Sequence, residues 1–184
     1  MMAGLLARLR TTRFSVIKRI AVIVAAILVG IFQLFGAVGL RINTSLSLPL
    51  GLYITTADTT ASLVEFCPAE PFATLAIVRG YRDRGTCKDG AAPLMKPVVA
   101  NSGDVVDVSE RGISVNGKLL SNTGPLSKDT KGRRLESWPA GNYIVAPGTV
   151  WVASSYHPRS FDSRYFGPIS IAAIRGRLRA LLTL

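Results

Sequence analysis

The chain has 184 residues and carries 22 lysines and arginines against 11 acidic residues, a formal net charge of +11. Two cysteines and a single histidine supply only three of the four ligands of a closed Cys/His zinc site and argue against one, and there is no Gly-rich phosphate loop and no internal repeat. The basic surplus is dispersed along the chain without a nucleic-acid module, so it reads as a solvated surface beside an anionic membrane rather than a DNA-binding face.

The first element is an uncharged run from Ile20 to Leu40. At about 1.5 Å per residue, a helix of that length spans roughly 30 Å, the hydrocarbon thickness of a bilayer. Arg8, Arg10, Arg13, Lys18 and Arg19 precede it with no acidic residue, and Arg41 alone follows. This asymmetry predicts residues 1–19 as a cytoplasmic segment, 20–40 as a transmembrane anchor and 41–184 as an exported domain. The alternative is a cleavable secretion signal, since Ala37-Val38-Gly39 has the small-x-small form of a cleavage site; the run is longer than the usual h-region of about 7–15 residues, which favours the anchor. About 140 residues follow Arg41, the size of one domain with one core.

Next comes Asn43-Thr-Ser-Leu-Ser-Leu-Pro-Leu-Gly-Leu-Tyr53, in which Ser45 and Ser47 precede a proline-stiffened turn at the membrane exit. Ser47 lies a few residues beyond Leu40, a reach of at most about 25 Å even fully extended. Short strands then dominate. Leu52–Thr56, Leu63–Phe66, Val105–Val108, Gly112–Gly117, Tyr143–Ala146 and Val150–Ala153 alternate or are β-rich, and Asn116-Gly117 signals a hairpin turn. Residues 72–84 predict a short helix, and 121–138, polar with Gly124, Pro125 and Gly132, an exposed loop or insertion. The expected architecture is mainly β, an antiparallel-sheet domain on one N-terminal transmembrane helix.

Cys67 and Cys87 both fall in the exported part. An even count in an oxidising compartment reads first as a disulfide, worth about 3 kcal/mol for a loop of about 20 residues. A cysteine nucleophile is the other use, and neither cysteine has a context that suggests it. The lone His157 would have to serve any Ser-His-Asp triad. A lysine can replace a histidine as base if burial holds its amine neutral. Lys96 meets that requirement, because Pro93-Leu-Met-Lys-Pro-Val-Val-Ala100 is otherwise uncharged; Lys88, Lys118, Lys128 and Lys131 have polar or glycine neighbours. The plainer reading is that Lys96 snorkels at a sheet edge.

Four ordered blocks resemble the signal-peptidase superfamily of serine proteases with a Ser/Lys dyad, and within it the conjugative-transfer branch that matures pilin precursors. They are Ser45-Leu-Ser-Leu-Pro-Leu-Gly-Leu-Tyr53, Leu94-Met-Lys-Pro-Val-Val-Ala100, Gly103-Asp-Val-Val106 and Ser160-Phe-Asp-Ser-Arg-Tyr-Phe-Gly-Pro168. Pro49, two residues after Ser47, is the conjugative spacing and favours Ser47 over Ser45 as nucleophile. Pro97 departs from the family's usual arginine and, lacking an N–H, puts the local strand pairing in question. The resemblance implies a signal-peptidase-like fold with Ser47 as nucleophile and Lys96 as base. Ser45 and the Ser47 N–H would be oxyanion donors, Ser160 would orient the lysine, and Asp162 and Arg164 would be supports. It implies no cofactor and no metal. The expected partners are a membrane-tethered precursor, pilin first, and the bacterial inner membrane, with the catalytic domain periplasmic and no nucleic acid bound. Hydrolysis and cyclisation share the same dyad and both stay open. The competing readings are a general leader peptidase and a non-enzymatic, membrane-anchored pilus or secretion subunit.

Overall fold

A computed structural model describes residues 18–30 and 39–184. The chain divides at the Leu40/Arg41 junction into two units. In the first, residues 18–30 form a helix, α1. The expected transmembrane segment lies partly outside the described residues, and among those described no helix is long and apolar enough to cross a membrane.

The second unit is built on antiparallel sheets. Its strands are β1 (Leu40–Asn43), β2 (Gly51–Thr56), β3 (Leu63–Phe66), β4 (Leu94–Ala100), β5 (Val105–Ser109), β6 (Gly112–Val115), β7 (Lys118–Leu119), β8 (Gly141–Ile144), β9 (Thr149–Val152), β10 (Ile169–Ser170) and β11 (Ile174–Thr183). Two short helices, α2 (Phe72–Val78) and α3 (Ser163–Phe166), complete it. A seven-stranded sheet runs β1-β2-β11-β3-β4-β9-β10 and a four-stranded sheet runs β7-β6-β5-β8.

Local chemistry accounts for the principal turns. Asn116 and Gly117 both take positive φ, 49° and 81°, the pair of left-handed residues that a two-residue hairpin demands, and Val115 faces Lys118 across it. Gly51 opens β2 because nothing larger fits: a Cβ there would lie 2.1 Å from the Leu182 carbonyl oxygen of β11. The glycine of the Ser-x-Pro-x-Gly block thus allows the serine-bearing segment to run against the sheet's longest strand.

Pro97 is accommodated where β4 changes partner. Residues Leu94 to Pro97 pair with β3, whereas Val98 and Ala100 pair with β9 across a register shift. The missing N–H falls at that change of partner, and the Pro97 carbonyl still accepts from the Ala153 N–H at 3.1 Å. The strand pairing that Pro97 put in question is intact.

The core has two clusters. One gathers Val64, Phe66, Leu94, Val152, Phe161 and Phe166 between the larger sheet and α3. The other gathers Val106, Val108, Ile113, Val145 and Trp151 beneath the smaller sheet. Across the larger sheet, Arg41 of β1 donates two hydrogen bonds, 2.7 and 2.8 Å, to the buried carboxylate of Glu65 on β3.

Cys67 and Cys87 form a disulfide, which closes the excursion containing α2 between β3 and β4. The Cys67→Ala/Cys87→Ala double variant is expected to lose about 3 kcal/mol of unfolding free energy, measured by denaturant titration of the oxidised wild type beside the variant. No change would mean that the excursion is held by packing alone.

Candidate active site

The segment carrying Ser45 and Ser47 leaves β1 at Asn43 and enters β2 at Gly51. The Leu48 side chain is buried, anchoring the turn in the core, and the Tyr53 hydroxyl donates to the Pro49 carbonyl at 2.7 Å. The Ser154 hydroxyl donates to the Ser47 carbonyl. Ser47 is therefore a half-buried residue in a turn whose carbonyls are held by donors on either side.

Ser45, Ser47 and Lys96 line one cavity of about 330 Å³, whose apolar wall includes Leu94, Leu126, Leu135, Phe161 and Tyr165. Of the three leucines beside the serines, Leu46 lines it, Leu48 is turned into the core, and Leu50 is no part of the wall.

Lys96 projects from the middle of β4 and is only 3% exposed. Burial pushes its ammonium from the usual 10.5 down to about 8; the charge of Asp162 raises it and that of Arg164 lowers it. Burial is the largest of these influences and outweighs the Asp162 charge even before Arg164 adds to it.

That ion pair is itself buried, with Arg164 Nε 2.8 Å from Asp162 Oδ1. The guanidinium also donates to the carbonyls of Asn122, Pro158 and Ser154, at 2.9, 2.8 and 2.9 Å. Asp162 Oδ2 accepts from the Ser154 N–H at 3.0 Å, and as the N-cap of α3 Asp162 accepts from the Arg164 N–H. Ser160, 1% exposed, keeps its hydroxyl buried and without a hydrogen-bond partner among the described residues. It makes no bond to the Lys96 amine in this state.

The histidine alternative meets an obstacle. His157 lines the cavity, but its Nδ1 accepts the Arg159 N–H at 3.1 Å. That leaves Nε2 as the protonated nitrogen of the neutral ring, a donor rather than a base. Asp162 is fully engaged by Arg164 and Ser154, so no orienting carboxylate is left over from that residue. Among the described residues no group of acidic, histidine and cysteine side chains is arranged to hold a metal.

The signal peptidase, peptidase S26, family matches residues 13–183. The chain belongs to this family. It is 36% identical over 174 residues to the plasmid transfer protein TraF of Escherichia coli, covering 91% of this chain and 98% of that one. With the probable conjugal transfer protein TraF of Sinorhizobium fredii it shares 38% identity over 152 residues, 79% of this chain and 78% of the relative. A solved signal peptidase I from Enterococcus faecalis aligns at 18% identity with a TM-score of 0.37, covering 70% of this chain and 100% of that one.

Three parts of this candidate site leave little mark in the sequence. Asn43 is buried under the serine turn, and only the Asn-x-Ser form of an Asx turn hinted at it. Ser154 follows β9 with no motif to mark it. The 121–138 segment is indeed without a named strand, yet it is not a free insertion. Asp129 accepts from the Tyr81 hydroxyl and from Arg133 Nε, both at 2.7 Å. Arg79 and Arg133 exchange donors with the Arg134 and Arg79 carbonyls, at 2.7 and 2.9 Å. These bonds fasten the loop to the end of α2, and Leu126 and Leu135 then wall the cavity.

A stability measurement tests the lysine environment without any substrate. Between pH 8 and 10.5 the unfolded chain binds a proton at Lys96 that the folded chain does not, so the contribution of Lys96 to stability rises with pH across that window. Lys96→Met removes the burden, and should be more stable than wild type by roughly 3 kcal/mol below pH 8. The advantage should shrink as pH approaches 10.5. A difference that stays constant from pH 7 to 10.5 would show that the amine is not desolvated.

Proposed function

We propose that this protein is a membrane-anchored serine endopeptidase of the conjugative branch of S26, cutting exported precursors with a Ser47/Lys96 dyad. The observation that carries the reading is a buried lysine brought down to about 8, lining the same cavity as a serine in a braced turn. A pilus or secretion subunit using residues 45–53 merely as a turn has no use for such a lysine.

In this mechanism Ser47 Oγ attacks the scissile carbonyl carbon while the neutral Lys96 Nζ takes the hydroxyl proton. The carbonyl oxygen becomes an oxyanion facing the Ser47 N–H and the Ser45 hydroxyl. Collapse breaks the C–N bond, and the Lys96 ammonium returns its proton to the departing amine. The acyl-enzyme then yields to water, giving a linear product, or to an amine of the same substrate, giving a ring. Ser160, with its unengaged hydroxyl, orients the lysine amine as the proton moves. Asp162 and Arg164 take no part in the proton transfer; they brace the C-terminal block.

The substrate is a precursor tethered in the bacterial inner membrane, with pilin the first choice in view of the plasmid-transfer relatives. We assign 20–40 as the anchor and the periplasm as the compartment of the catalytic unit. Membrane-tethered precursors with small residues before the scissile bond are the expected substrates.

The test is to express candidate precursors with the full-length protein and read product masses. Wild type should release a fragment, and a cyclic product would be one water lighter than the linear one. Ser47→Ala and Lys96→Ala should both abolish processing in folded protein, whereas Ser45→Ala should slow it by about 10²–10³-fold. His157→Ala should leave the pH profile unchanged. Below pH 8 the rate should rise about tenfold per pH unit, following the neutral fraction of Lys96, and level off above it. Full processing by Ser47→Ala would remove the peptidase reading.

A further inference from the structure

The turn that carries Ser45 and Ser47 is organised by one side chain. Asn43, the last residue of β1, is 4% exposed. Its Nδ2 lies 2.9 Å from the Ser45 carbonyl oxygen, 3.1 Å from that of Leu48 and 3.0 Å from that of Pro49. Its Oδ1 accepts from the Ser45 N–H at 3.2 Å and from the Ser45 hydroxyl at 2.9 Å.

The chemistry fixes the orientation of this amide. Three carbonyl oxygens surround one terminal atom, and carbonyls only accept, so that atom must be the NH₂. The opposite terminal atom is then Oδ1, which also only accepts. It follows that the Ser45 hydroxyl is the donor in its bond to Asn43, and its single hydrogen is committed there. To meet an oxyanion, that hydrogen must leave Oδ1 and swing toward the substrate.

We propose that Asn43 is the positioning residue of the site: it sets the carbonyl geometry of the turn around Ser47 and holds the Ser45 hydroxyl ready. This rests on the Ser47/Lys96 reading above. The role requires both ends of a primary amide. An aspartate would keep the acceptor for Ser45 but set a second acceptor against three carbonyls. An alanine would leave five hydrogen bonds unmade and the three carbonyls without this donor.

The test uses the full chain, with Asn43→Asp, Asn43→Ala, Ser45→Ala and the Asn43→Ala/Ser45→Ala double variant. Processing of a tethered precursor is followed as kcat and KM separately, with circular dichroism fixing the folded fraction. A turn displaced by about an ångström costs about 10²-fold in rate. Both Asn43 variants should therefore lose about 10²-fold in kcat per folded molecule with KM within about threefold. The double variant should be less impaired than the product of the single losses, because Asn43 acts partly through Ser45.

Wild-type kcat in folded Asn43→Asp would overturn the proposal, as would losses that multiply fully with Ser45→Ala. So would failure of both Asn43 variants to fold, since that is the outcome of a purely structural role. Activity in Ser47→Ala, run in parallel, would instead remove the dyad reading itself. An inactive Ser47→Ala beside a fully active Asn43→Asp would remove only the positioning role.

Discussion

The buried ion pair of Asp162 and Arg164 is the interaction on which the rest of the site depends. Two opposite charges leave water here, a cost that is offset only when every lone pair and donor finds a partner. Here they do. Arg164 bridges the loop at Asn122, the segment at Pro158 and the end of β9 at Ser154, while Asp162 caps α3 and accepts from Ser154. Ser154, held at its N–H by Asp162 and at its carbonyl by Arg164, turns its hydroxyl to the Ser47 carbonyl. A network anchored in the C-terminal block thereby reaches the N-terminal serine turn, which no sheet ladder joins to it directly.

The same pair adds two opposed charges to the surroundings of Lys96. The Asp162 carboxylate favours the Lys96 ammonium and Arg164 opposes it, but burial of the amine is the largest effect. The lysine is the site's thermodynamic burden and its chemical asset for one reason, since the low-dielectric surroundings that disfavour its charge also make it a base near neutral pH. Stability has been given up at Lys96 in the place where the proposed chemistry needs it.

How much of this the sequence disclosed depended on the kind of signal. Lys96 stood out because charge in an apolar strand is rare, and Leu63–Phe66 and the Asn116-Gly117 hairpin follow from local propensity and turn chemistry. β11 did not stand out, although it lies between β2 and β3 in the larger sheet. Arg175, Arg177 and Arg179 interrupt it, and Leu178 is its one fully buried apolar side chain. Asn43 and Ser154 stayed hidden for a different reason. Their importance lies in contacts with backbone carbonyls brought near by tertiary folding, and as residue types they resemble any polar loop position. The 126–135 loop was read correctly as lacking strands but not as a wall, because its fastening relies on Tyr81 and Arg79, far away in sequence.

The central claim is that Lys96 is a buried amine with a proton it gives up near neutral pH. The most direct measurement is the titration of lysine ε-carbons by NMR in the full-length protein, labelled at lysine and held in detergent micelles, with Lys96→Arg identifying the resonance. The account requires one resonance that titrates near 8 and vanishes in that variant, with the other lysines titrating well above it. A Lys96 resonance that titrates near 10.5 with the rest would contradict it.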